Sequence, residues 1–87
     1  MKRRIIFEAS AFEDFTEWSK LNKKIHQKII QLIKDIGRNP YAGLGKPEAL
    51  KYDYQGYWSR RINAEHRLIY KVTDTDIIIV GCKYHYE

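Results

Sequence analysis

The chain carries a single cysteine, Cys82, and only two prolines in 87 residues. One thiol cannot close an internal disulfide, and it cannot supply the two or more thiolates that structural zinc sites draw from one chain. Long apolar runs are missing as well. The longest, Ile77–Val80, falls far short of the roughly 20 residues that cross a bilayer. The basic start Lys2-Arg3-Arg4 meets only Ile5-Ile6-Phe7 before Glu8, which is not a secretory leader. The expectation is one soluble, cytoplasmic domain over residues 1–87, with no membrane partner. Repeats, low-complexity stretches, a Gly-rich phosphate loop, an HExxH motif and a Ser-His-Asp arrangement are absent too.

What is present is a globular balance: 44% hydrophobic and 31% charged residues, too apolar for a disordered tail. Lys and Arg number 16 against 11 acids, a net charge of +5. A small basic domain suits a polyanionic partner, and the seven tyrosines add rings that could stack on bases.

Local patterns divide the chain in two. Arg3–Phe7 suits a short strand. Ser10-Ala11-Phe12-Glu13 has the spacing of a capping box, and it would open a helix with Phe12, Phe15 and Trp18 on one face. Acids Glu13, Asp14 and Glu17 would then lie near the positive end of its dipole. After a break at Leu21-Asn22, Ile25, Ile29, Leu32, Ile33 and Ile36 form an apolar stripe at helical period. Gly37 would cap this second helix, with Pro40 just beyond. Lys20, Lys23, Lys24 and Lys28 cluster around its start as a candidate docking patch for a phosphate backbone.

The remainder reads as strands at 49–54, 57–62, 66–72 and 76–86, joined by short turns into an antiparallel meander. The fold class is therefore α+β: a short N-terminal strand and a two-helix hairpin packed on one face of a mainly antiparallel sheet. Side chains alternate along strands. Even positions, from Leu50 through Trp58, Leu68, Tyr70, Ile78 and Cys82, are mostly apolar and would face the helices, although Arg60, His66 and Asp76 break the pattern. Odd positions, among them Lys51, Arg61, Arg67, Lys83 and His85, are mostly polar and would give the free face a field of cations, with Ile69 and Ile79 as exceptions. His26 reads as a surface residue and His66 as a satisfied structural one. Cys82 and His85 have opposite parity and should not share a metal. Glu48, Lys51, Arg61, Arg67 and His85 remain as the reactive set. A carboxylate, a histidine and arginines suffice for phosphodiester cleavage, because RNA brings its own nucleophile in the 2′-OH.

Four segments, Gly45-Lys46-Pro47-Glu48-Ala49-Leu50-Lys51, Trp58-Ser59-Arg60-Arg61-Ile62, Glu65-His66-Arg67-Leu68-Ile69-Tyr70 and Cys82-Lys83-Tyr84-His85-Tyr86, resemble the YoeB toxins of the RelE/ParE superfamily. The resemblance spans essentially the whole chain. It implies a toxin that cleaves mRNA on the ribosome, leaving 2′,3′-cyclic phosphate and 5′-hydroxyl ends and so inhibiting translation; the reactive set itself points to a step without metal or cofactor. It implies a YefM-like antitoxin as partner and leaves room for a homodimer. By the same resemblance, Glu48 is the general base, His85 the general acid and Arg67 the transition-state clamp. Lys51 and Arg61 hold phosphate and Tyr86 orients the substrate; the lysine patch, read from the sequence alone, would then dock on the ribosome. Glu87 extends beyond the His-Tyr pair at which the family often stops. The alternative is a ParE-like gyrase poison that binds without cutting RNA; a third is an inactive RNA-binding module. Glu48 with His85 separates them, since a pure binder needs no acid–base pair.

Overall fold

The computed structural model describes residues 2–84. Along the chain run β1 (Arg4–Phe7), α1 (Ala9–Leu21), α2 (Lys23–Arg38), β2 (Glu48–Ala49), a 3₁₀ turn (Tyr52–Tyr54), β3 (Tyr57–Arg61), β4 (Arg67–Val72) and β5 (Asp76–Gly81). The five strands form one sheet in the order β1-β5-β4-β3-β2. Only β1–β5 is a parallel pair; the others are antiparallel. Both helices cover one face, which is the architecture expected from the sequence; the other carries no helix, although Ser59 and Ile69 at its centre are buried.

The helix stripe holds: Ile29, Leu32 and Ile36 are fully buried against Leu68, Tyr70, Ile77, Ile79 and Cys82. Burying each such side chain is worth about 1.5–3 kcal/mol. Asn22 ends α1 and caps α2, accepting the Ile25 N–H at 3.2 Å. Several local expectations are corrected. Helix α1 starts at Ala9 after Glu8, so Ser10 lies inside it, no side chain caps it, and its first turn holds no acid. Its inward stripe is Ala11, Phe15 and Trp18, while Phe12 is exposed. Helix α2 runs through Gly37 to Arg38 and ends at Asn39, so Gly37 is not its cap. His26 is half-buried, its ring 4.4 Å from that of Phe15.

The sheet departs from simple alternation in two places. The strand expected at 49–54 shrinks to Glu48–Ala49, and Tyr52 is 91% exposed at φ 58°. Within β4–β5, Tyr70 pairs with Ile79 but Ile69 pairs with Gly81. Val80 is therefore an extra residue, a β-bulge, and a one-residue shift exchanges the faces of every side chain on one side of it. Ile77 and Ile79 point into the core, Ile78 and Val80 do not, and Cys82 is again inside. Asp76 thus lies on the open face, where it pairs with Arg4 at 2.8 Å. The strand ends at Gly81, not at 86.

Arg60 faces the core and is fully buried. Its guanidinium donates to Tyr70 Oη, Asp35 Oδ2, and the carbonyls of Leu44, Asn39 and Ala42. It thereby ties the 39–45 loop to the sheet. Gly43 is needed at this knot, because a Cβ there would lie 2.1 Å from Asp35 Oδ2. The Leu44 N–H and the Arg60 guanidinium hold the Asp35 carboxyl below its ordinary range. A carboxyl so depressed adds stability that is complete above its unfolded pKa and lost as pH falls through the folded one. Arg60→Met, which strands a carboxylate and three carbonyls, should cost about 3–5 kcal/mol in urea unfolding at pH 7. The deficit should narrow as Asp35 protonates; an equal deficit at acid and neutral pH would contradict the ion pair's part in it.

Candidate active site

The open face is built by register. On β3 and β4, Arg61 lies directly opposite Arg67 and Ser59 opposite Ile69. Glu48 on β2 lies opposite Ser59. Glu48 is therefore a diagonal neighbour of Arg61, at about 7–8 Å in standard antiparallel geometry. Gly45 makes this approach possible. Its carbonyl accepts the Arg61 N–H at 2.6 Å, and at φ 77° a Cβ would sit 2.9 Å from the Arg61 carbonyl.

Two arginines directly opposite one another repel. Among the described residues neither forms an ion pair, and Glu48 and Lys51 form none either. Arg61 and Glu48 are exposed. Arg67 is half-buried, with Nη1 donating to the carbonyls of Asn63 (2.7 Å) and His66 (3.1 Å). Those bonds fix its direction, and no acid among the described residues compensates its charge. An anion is what such a face lacks.

Beside the cations lies a shallow cavity of about 250 Å³ lined by Tyr54, Tyr57, Ile69, Val80, Glu8 and Asp53. Strand parity does not reveal it, because Tyr54 comes from the 3₁₀ turn and Val80 is the bulge residue.

The structure thus brings Glu48, Arg61 and Arg67 to one face. Lys51 is exposed beyond the end of β2, so alternation does not place it with them. Lys83 leaves the face altogether: it forms an ion pair with Glu17 of α1 and lies 5.7 Å from the Trp18 ring. His85 and Tyr86 lie outside the described residues. Lys24 and Lys28 line a groove of about 460 Å³ on α2 together with Lys34, whereas Lys20 lines a different one along α1. His66 is buried and satisfied, as expected, with Nδ1 accepting the Tyr84 N–H at 2.7 Å. Among the described residues, no three His, Cys, Asp or Glu side chains converge as metal ligands, and no helix is long and apolar enough to cross a membrane.

Helices over one sheet face, with two opposed arginines and a carboxylate on the other, make this a small α+β domain with a cationic cluster on its helix-free face. Residues 7–86 match the family model of the YoeB-like toxin of bacterial type II toxin-antitoxin systems. Toxin YoeB of Streptomyces coelicolor is 49% identical over 83 residues, covering 95% of this chain and 99% of that one. Among solved structures, the YoeB dimer from Staphylococcus aureus superposes with a TM-score of 0.90 at 49% identity, covering 99% of this chain and 100% of that one. The YoeB-YefM complex from the same organism does so at 0.88 and 50%, with the same coverage. The chain belongs to the YoeB-like toxin family.

Cys82 takes no part in this face. It is fully buried, its Sγ lies 3.8 Å from the Ala11 carbonyl, and burial pushes its thiol up to about 12. A thiol so protonated is a poor nucleophile. In native buffer it should resist a disulfide reagent such as DTNB and should titrate as one thiol only in denaturant. Rapid native labelling would contradict its placement.

Proposed function

We propose that this chain is the toxin of a toxin–antitoxin pair, a ribosome-dependent endoribonuclease that cuts mRNA and so stops translation. One observation carries the proposal: Arg61 and Arg67 stand directly opposite one another on one sheet face, Glu48 is diagonal to Arg61 on the next strand, and no acid among the described residues neutralises either arginine.

In this mechanism the 2′-oxygen of the substrate attacks the adjacent phosphorus as Glu48 takes the hydroxyl proton. The P–O5′ bond breaks, and His85 gives its proton to the departing 5′-oxygen. The products are a 2′,3′-cyclic phosphate and a 5′-hydroxyl, with no water consumed. Arg67, held by the 63–66 turn, meets the extra negative charge on the pentacoordinate phosphorus. Arg61 and Lys51 hold the phosphate, and Tyr86 orients the nucleotide. The step routes both protons through side chains. Lys24 and Lys28 present their groove to ribosomal RNA, with Lys20 and Lys23 nearby in sequence. A YefM-like antitoxin silences the toxin, as the Staphylococcus aureus complex suggests, and that organism's dimer supports self-association.

Primer extension on mRNA with purified ribosomes tests this. Arg67→Ala should keep its thermal midpoint and lose about 10²–10³ in cleavage rate, the usual effect of removing one preorganised donor to a developing anion. Normal cleavage by folded Arg67→Ala would remove Arg67 from the mechanism. No cleavage by the unsubstituted protein, together with gyrase inhibition, would replace the nuclease with a gyrase poison.

A further inference from the structure

The segment after β5 is gripped from two sides. From α1, the Trp18 indole N–H donates to the Cys82 carbonyl at 2.8 Å, and Glu17 pairs with Lys83. From β4, the Arg67 backbone N–H donates to the Tyr84 carbonyl at 3.1 Å. The Tyr84 N–H in turn donates to Nδ1 of His66 at 2.7 Å. Tyr84 has φ 62°, a left-handed conformation that side-chain-bearing residues adopt at some cost and keep only when their surroundings demand it.

His66 is well placed to make that demand. It is 6% exposed, edge-on to Trp18 with ring centres 4.8 Å apart, and its ring centre is 5.2 Å from that of Tyr84. An Nδ1 that accepts a hydrogen bond leaves the ring proton of the neutral imidazole on Nε2, which lies 3.6 Å from Glu65 Oε1. Arg67 Nη1 donates to the His66 carbonyl. One dipeptide therefore orients the proposed phosphate clamp on the open face and anchors the tail beside Trp18.

We infer that His66 is a positioning residue. Its unprotonated Nδ1 holds Tyr84 in the left-handed turn and so sets the point from which His85 and Tyr86 continue. The inference rests on the nuclease mechanism proposed above, because positioning matters only if those residues act on substrate.

Asparagine and glutamine separate this role from packing. The Asn carboxamide oxygen occupies the place of Nδ1, whereas the Gln oxygen lies one bond farther out; both lose the ring. His66→Asn and His66→Gln are compared with the unsubstituted protein by ¹⁵N–¹H spectra, by hydrogen exchange at the Tyr84 amide, and by kcat and KM for ribosome-bound mRNA. The spectra confirm that each variant is folded. Because a small misplacement of a reacting group can cost about 10²-fold, His66→Gln should expose the Tyr84 amide and lose about that factor in kcat at unchanged KM. His66→Asn should keep the amide protected and recover most of the rate. Full kcat in His66→Gln, or equal losses in both variants with the Tyr84 amide still protected in His66→Asn, would overturn the inference. An unprotected Tyr84 amide in the unsubstituted protein would overturn the anchoring itself. Absence of cleavage by that protein would instead overturn the nuclease mechanism, and with it the catalytic half of the inference.

Discussion

The placement of Cys82 through Tyr84 depends on one extra residue in β5. Val80 has no partner between the Tyr70–Ile79 and Ile69–Gly81 pairs. Before it, Ile77 and Ile79 fill the core; after it, Cys82 does. Without the bulge, the strand could bury Ile77 and Ile79 or Cys82 against the helices, but not all three, because side chains of a regular strand alternate between faces. With it, Cys82 sits under Ala11 and its carbonyl meets the Trp18 indole. The chain then turns at Tyr84 beside His66 and Arg67. The tail is thus delivered next to the residue that orients the open face's arginine.

The same local physics explains what could be read before folding. On β3 and β4 alternation puts Arg61 and Arg67 together on one face and Leu68 and Tyr70 on the other, although Arg60 and Ile69 each sit on the face their chemistry does not suggest. On β5 four consecutive apolar residues carry no face signal, since a central strand is covered by neighbours and tolerates hydrophobic side chains on both sides. The bulge therefore leaves no mark in the pattern, and simple alternation puts Lys83 on the face opposite to the one it takes. The segment after β2 differs for another reason. Tyr52 and Tyr54 have strand propensity, but the chain bends into a 3₁₀ turn beyond the two paired residues of β2. Glu48 nevertheless reaches the open face, because it pairs with Ser59 rather than following the parity assumed from Leu50. The helix stripe of α2 was legible throughout, as a 3.6-residue period is hard to imitate.

Adjacent residues Arg60 and Arg61 show how position decides the use of one chemistry. Arg60 is buried with all its contacts satisfied by Asp35, Tyr70 and loop carbonyls, and it holds the 39–45 segment in place. That segment leads through Gly45, whose carbonyl binds the Arg61 N–H, to Glu48. Arg61, one residue on, is exposed on the opposite face with no acid among the described residues to neutralise it. The buried arginine is a fastener, and the exposed one is free to meet phosphate. Fastening the loop also sets how far the proposed base stands from the proposed clamp.

The central claim is that this face cleaves RNA with the substrate's own 2′-oxygen. The most direct measurement is the chemistry of the new ends after mRNA is cut on purified ribosomes. Cleavage should leave a 2′,3′-cyclic phosphate, detected because the 3′ end resists ligation until treated with polynucleotide kinase phosphatase, and a 5′-hydroxyl that accepts labelled phosphate directly. A single 2′-deoxy substitution at the cut site should abolish the reaction. Ends bearing 5′-phosphate and 3′-hydroxyl, or undiminished cleavage of the 2′-deoxy substrate, would contradict the account.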